Sequence, residues 1–141
     1  MTDEISIASR LHPMAEAATS LEFRVEVVAP DQLLIELSDG ISLQILAPPD
    51  DEIIVGFLAL PWHFHGTLCL EINEDEYLYV TVDDLLLLLR TGEALIVEQL
   101  VESQLEDRWI VHKNRPLELK YIEPEEVLLV RRLSDESSAR D

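Results

Sequence analysis

The residues best suited to chemistry in this chain are two histidines one position apart, in the segment Trp62-His63-Phe64-His65-Gly66. On an extended backbone, side chains at i and i+2 project to the same side, so both imidazoles could reach one divalent ion. Cys69 and Glu71 continue the same alternation as further ligands, and His112 could join from a later strand. Such a set would hold one divalent metal such as zinc and leave a position open to water. A metal-free acid–base role is open to the same pair. The plainer reading, and the preferred one, makes the histidines half-buried polar groups on a sheet face, hydrogen-bonded to carboxylates, with no cofactor. Trp62 and Phe64 then belong to the core with Leu58, Leu60 and Leu68 rather than to a ligand-stacking surface.

Other catalytic signatures are missing from the sequence. The four glycines, Gly40, Gly56, Gly66 and Gly92, are too scattered for a phosphate-cradling loop or a dinucleotide fingerprint. No serine sits in a G-x-S-x-G elbow, and neither C-x-x-C nor H-E-x-x-H occurs. Asn73-Glu74-Asp75-Glu76 lacks the glycine and trailing glutamate of a calcium loop. The balance leans away from an enzyme, and no residue is assigned a catalytic role.

The elements that must position the histidines are mostly strands. Phe23, Val25 and Val27 alternate with charged residues, and Leu33, Ile35 and Leu37 continue the period of two. Asp39-Gly40 suits a tight hairpin turn before Ile41, Leu43 and Ile45. Pro48-Pro49-Asp50-Asp51 marks a loop. From 57 to 72 the backbone is expected to be extended, as one long bent strand or two strands with a three-residue turn near Gly66, with even positions in the core and both imidazoles on the other side; the metal set and the family likeness given below both depend on this. An exposed acidic turn at 73–76 leads to a short strand from Tyr77 to Val80.

A helix is expected over about 82–91. Thr81 can cap it, Asp83 and Asp84 complement its dipole, and Gly92 suits the position after its end. Its leucine run makes it apolar nearly all round, so it should be sandwiched. Strands at 94–104 and 108–113 form a hairpin around Leu105-Glu106-Asp107. A turn at 114–116, a strand at 117–121 and a last strand at 127–133 complete the pattern. The expected class is α+β: a single domain at 21–133 with a largely antiparallel, curved sheet and one short buried helix. An N-terminal arm or marginal helix (1–20) precedes it and a flexible tail (134–141) follows.

Charge bounds the partners. The 141 residues carry 10 Lys+Arg against 29 Asp+Glu, a net charge of -19, spread over both halves of the chain. Such a field repels phosphate, and the basic candidates Arg108, Lys113, Arg115, Lys120, Arg131 and Arg132 are diluted by Glu106, Asp107 and Glu118, so nucleic acid is not an expected partner. The same field would steer a basic protein toward acidic loops such as Asp50-Asp51-Glu52 and Glu74-Asp75-Glu76. A mean hydropathy of +0.09 beside this charge suggests apolar strands in need of a partner edge, with 127–133 the candidate for a homodimer contact. The lone Cys69, the acidic start of the chain and an apolar run no longer than 85–89 point to a cytoplasmic protein with no membrane segment.

Two families are similar in part. Gly56, His63, His65 and Glu71 occur in the order of the first cupin motif, which implies a metal-dependent barrel protein using the histidine pair. Gly56 and Glu71 are displaced from that motif, no second glycine follows, and the helix at 82–91 interrupts an all-β barrel. More of the chain, roughly 53–113, resembles small bacterial immunity proteins of polymorphic toxin systems. In these a strand ends in a W-H-x-H-like motif, and more sheet follows. A short helix then opens with acidic residues and ends at glycine, before a hairpin. The matching features are Trp62-His63-Phe64-His65, the helix from Asp83-Asp84 to Gly92, and the strands at 94–104 and 108–113. That resemblance implies a non-catalytic inhibitor that occludes a basic toxin, with Trp62, His63 and His65 joining the acidic loops in the binding surface.

Overall fold

Period-two alternation builds just over half of the described residues into antiparallel strands. The computed structural model describes residues 9–38, 40–114 and 126–133. Strands β1 (Arg24–Ala29), β2 (Gln32–Ser38), β3 (Ile41–Leu46), β4 (Ile54–Phe57) and β5 (His63–His65) form a five-stranded sheet in that spatial order. One face carries Leu33, Ile35, Leu37, Ile41, Leu43, Ile45, Val55, Phe57 and Phe64 into the core. Gly40, at φ 80, completes the β2–β3 turn; its expected partner Asp39 lies outside the described residues.

The chain breaks at Gly66 (φ 68), one of the two forms expected, but the expected extension from 57 is overturned at 58–62. Residues 58–62 form a turn in which Ala59 takes φ 66 and the Leu60 N–H donates to the Phe57 carbonyl at 3.1 Å. The chain reverses there, so Val55 pairs with Phe64 and Gly56 with His63. Core parity therefore switches from odd (Val55, Phe57) to even (Phe64, Leu68, Leu70) across the turn. Leu58, assigned to the core by unbroken alternation, is 43% exposed. Gly56 permits this reversal, because a Cβ there would stand 2.7 Å from the Trp62 carbonyl oxygen.

The remaining strands form two further sheets rather than extending one curved sheet. β6 (Leu68–Asn73) and β7 (Glu76–Val80) make a hairpin. β8 (Ala94–Val101), β9 (Gln104–His112) and β10 (Glu126–Arg131) make a three-stranded sheet in the order β10-β8-β9. The β8–β9 turn falls at Glu102 and Ser103, both left-handed at φ 50 and 70, not at Leu105-Glu106-Asp107. A two-residue turn of this hand is normally announced by Asn or Gly, and neither is present. The last strand is realised as β10, while the segment expected as a strand at 117–121 lies outside the described residues.

Two helices accompany the sheets. α1 (His12–Ser20) follows a 3-10 turn at Ser9–Leu11, so helix is the form taken by this part of the N-terminal segment. Leu11, Met14 and Ala18 are buried, and they share one hydrophobic cluster with the sheets and α2 (Val82–Thr91). Among the described residues, the expected short helix is thus accompanied by α1, which lies in the segment expected as an arm or marginal helix. α2 begins after Thr81 and ends at Gly92 (φ 85), as its boundary residues dictate. The Thr81 hydroxyl donates to the Asp83 carboxylate at 2.6 Å instead of capping the backbone. Nor is α2 sandwiched on every side: Leu85, Leu86 and Leu89 are buried, whereas Leu87 is 49% exposed. Arg90 at its last turn donates to the Leu21 carbonyl at 2.9 and 2.6 Å and lies 4.4 Å over the Phe23 ring, tying the two helices together. No helix among the described residues is long and apolar enough to cross a membrane.

Candidate functional site

The histidine pair sits on β5, an edge strand of the five-stranded sheet. Phe64 between the two is buried, so alternation turns both imidazoles outward. Their ring centres are 5.3 Å apart with planes inclined at 56°. Beneath them Trp62 packs between Phe57 and Phe64, at centroid distances of 5.8 and 5.7 Å. The Trp62 N–H donates to the Asp107 carboxylate of β9 at 3.0 Å, which pins the start of the motif to the second sheet. The His63 Nδ1 lies 3.0 Å from the Pro61 carbonyl oxygen. The motif therefore opens strand β5 instead of ending a strand, and Trp62 belongs to the preceding turn.

Cys69 and Glu71 do not join the histidines along one strand. They lie on the outward face of the β6–β7 hairpin, paired with Tyr79 and Tyr77 respectively. Tyr77 and Tyr79 are 54% and 70% exposed, and Cys69 is exposed beside them. A hydrogen bond with the Cys69 thiol, and its charge when ionised, push the Tyr79 phenol above its ordinary pKa. At the hairpin tip the Asp75 N–H donates to Asn73 Oδ1 at 3.0 Å and the Asn73 amide donates to Glu76, leaving Glu74, Asp75 and Glu76 exposed.

His112 is buried and occupied elsewhere. Its Nδ1 accepts the Asn114 N–H at 3.1 Å, and its Nε2 is 3.6 Å from a Glu93 carboxylate oxygen. Glu93 also holds Lys113 at 2.7 Å, and that hydrogen bond, with His112 and Arg132 adding to it, lowers the Glu93 pKa despite some opposing desolvation. Among the described residues no three His, Cys, Asp or Glu side chains are grouped so as to hold a metal ion.

The acidic loop Asp50, Asp51 and Glu52 is exposed and is held by Arg10, whose guanidinium donates to the Pro48 and Asp51 carbonyls. Glu52 extends over Gly66, its Oε2 lying 3.2 Å from where a Cβ would stand, so this loop borders the end of β5. The Gly66 N–H donates to the Ile53 carbonyl at 2.7 Å and closes that border.

Sequence reading missed a charged cluster on the three-stranded sheet. Glu98, 4% exposed on the central strand β8, accepts from Arg108 Nε at 2.6 Å and from Arg131 Nε at 2.5 Å. Burial pushes the Glu98 carboxyl up, but the hydrogen bonds from Arg131 and Arg108 outweigh it, and its pKa falls below the ordinary carboxylate value. The signal available was a lone acid interrupting the apolar run from Ala94 to Val101. The exposed tyrosines were also legible, as an i, i+2 pair on a strand.

The chain matches no protein-family model, no curated protein and no solved structure.

Proposed function

We propose that this chain is a single-domain, non-catalytic acidic module that binds a basic protein and occludes its partner's functional surface. The observation carrying this reading is where cations among the described residues are used. Arg10 holds loop carbonyls, Arg24 faces Glu36 at 3.8 Å, Arg90 holds Leu21, Arg108 and Arg131 hold Glu98, and Lys113 holds Glu93. Their charge is spent on internal acceptors, while Asp50, Asp51, Glu52, Glu74, Asp75 and Glu76 stand in solvent. A net charge of -19 then acts outward, accelerating encounter with a basic surface and disfavouring nucleic acid. Tyr77 and Tyr79 supply what charge does not: amphipathic anchors on a hairpin, of the type that dominates binding energy at interfaces.

The test is co-purification with the product of the adjacent reading frame, followed by stopped-flow association from low to high salt. Association should slow steeply with salt, and Y77A and Y79A should each raise the dissociation rate at least tenfold. An acidic partner, a salt-independent association rate, or no bound partner would overturn the proposal.

Self-association has one observation in its favour. β10 lies at the edge of its sheet with Val127, Leu129 and Val130 50%, 40% and 40% exposed, so a second copy could pair there.

A further inference from the structure

We infer that His63 and His65 form a two-point chelate for a single zinc ion at the outer edge of β5, with water completing the coordination. Two imidazoles bound through nitrogen to one tetrahedral ion, at about 2.0–2.1 Å each, have ring centres roughly 5.2 Å apart. The ring centres of His63 and His65 stand 5.3 Å apart. Backbone geometry sets that spacing: alternation about the buried Phe64 aims both rings outward, and the packed Trp62 and Phe64 rings fix the strand beneath.

The donor atoms are also prepared. A His63 Nδ1–H donating to the Pro61 carbonyl leaves Nε2 with its lone pair free, the arrangement by which an outer partner selects the metal-binding tautomer. The residue paired with His63 is Gly56, so no cross-strand side chain covers that ring. Glu52, reaching over Gly66 next to His65, adds a carboxylate whose field favours a cation. Imidazole donors select zinc and the neighbouring late transition metals over magnesium or calcium. The larger set suggested by sequence shrinks to this pair, because Cys69 and Glu71 face the tyrosines and His112 is engaged by Glu93 and Asn114. The inference rests on ring geometry and is independent of the protein-binding proposal.

The experiment is calorimetric titration of the full chain, free of any tag, with zinc chloride. The expected result is one ion per chain, unaffected by excess magnesium. H63A and H65A should each weaken binding at least tenfold, E52Q should weaken it a few-fold, and H12A, which alters the exposed His12 of α1, should leave it unchanged. Both histidines are exposed, so their variants should melt like the parent. As a second readout in the unaltered chain, the ring nitrogens of both His63 and His65 should shift on adding zinc. No binding, binding unchanged in H63A and H65A, or ring shifts confined to other histidines would overturn the inference.

Discussion

Replacing Glu98 by Gln probes the buried charge cluster without changing its shape. Both oxygens are used at 2.6 and 2.5 Å, so the variant would turn an amide N–H₂ toward one guanidinium and remove the negative charge that faces both. Arg131, 53% exposed, can recover water, whereas Arg108 is 13% exposed and cannot. Breaking a buried ion pair by removing one partner costs about 3–5 kcal/mol, and the recovery of Arg131 puts E98Q at the lower end, about 3 kcal/mol. For a chain of this size that corresponds to a fall in Tm of roughly 10 °C. Urea unfolding followed by circular dichroism and tryptophan fluorescence measures it, with the denaturant slope expected to stay constant. R108Q should cost more than R131Q, in the order of their burial.

The pH dependence follows from the direction of the Glu98 shift. Its pKa is lower folded than unfolded, so the ionised carboxylate stabilises the fold fully above the unfolded value. That contribution disappears as pH falls through the folded value, and the gap between the parent and E98Q should narrow in acid. A cost below about 1 kcal/mol at neutral pH, or a gap that does not change with pH, would refute the account of the cluster as a buried carboxylate held ionised by two guanidinium groups.

Three further outcomes are expected. G56A should destabilise the chain by about 1–3 kcal/mol and alter tryptophan emission, because the new Cβ meets the Trp62 backbone carbonyl, which cannot yield as a flexible side chain would. C69A should lower the Tyr79 phenol pKa toward its ordinary value, observable by ultraviolet titration, because the hydrogen bond to Cys69 is the leading cause of the rise. V127K, on the exposed edge strand β10, should shift any concentration-dependent oligomer to monomer in analytical ultracentrifugation; if copies pair at that edge, an unchanged oligomer is the contrary result.

Alternation and boundary residues were enough to place β1 to β3, the acidic hairpin tip and α2 with its glycine stop, because each is decided by neighbours a few positions away. The outward direction of His63 and His65 was equally local, since it needs only a short extended segment around Phe64. Chain reversal at 58–62 was not legible: Pro61 and the left-handed Ala59 can form a turn only because Gly56 lets the returning strand approach, and that contact exists only once β4 and β5 pair. That misplaced turn moved Leu58 from core to surface, while a separate break at Gly66 and the pairing of β6 with β7 parted Cys69 and Glu71 from the histidines. The Glu98 cluster needs the register of the β8–β9 hairpin and the return of the more distant β10, and the contact between Trp62 and Asp107 joins β9 to a turn far away in sequence. Residue types and their period, in short, set which way each side chain faces, while strand pairing across the fold decided which of those side chains meet, because meeting depends on a register that no local window contains.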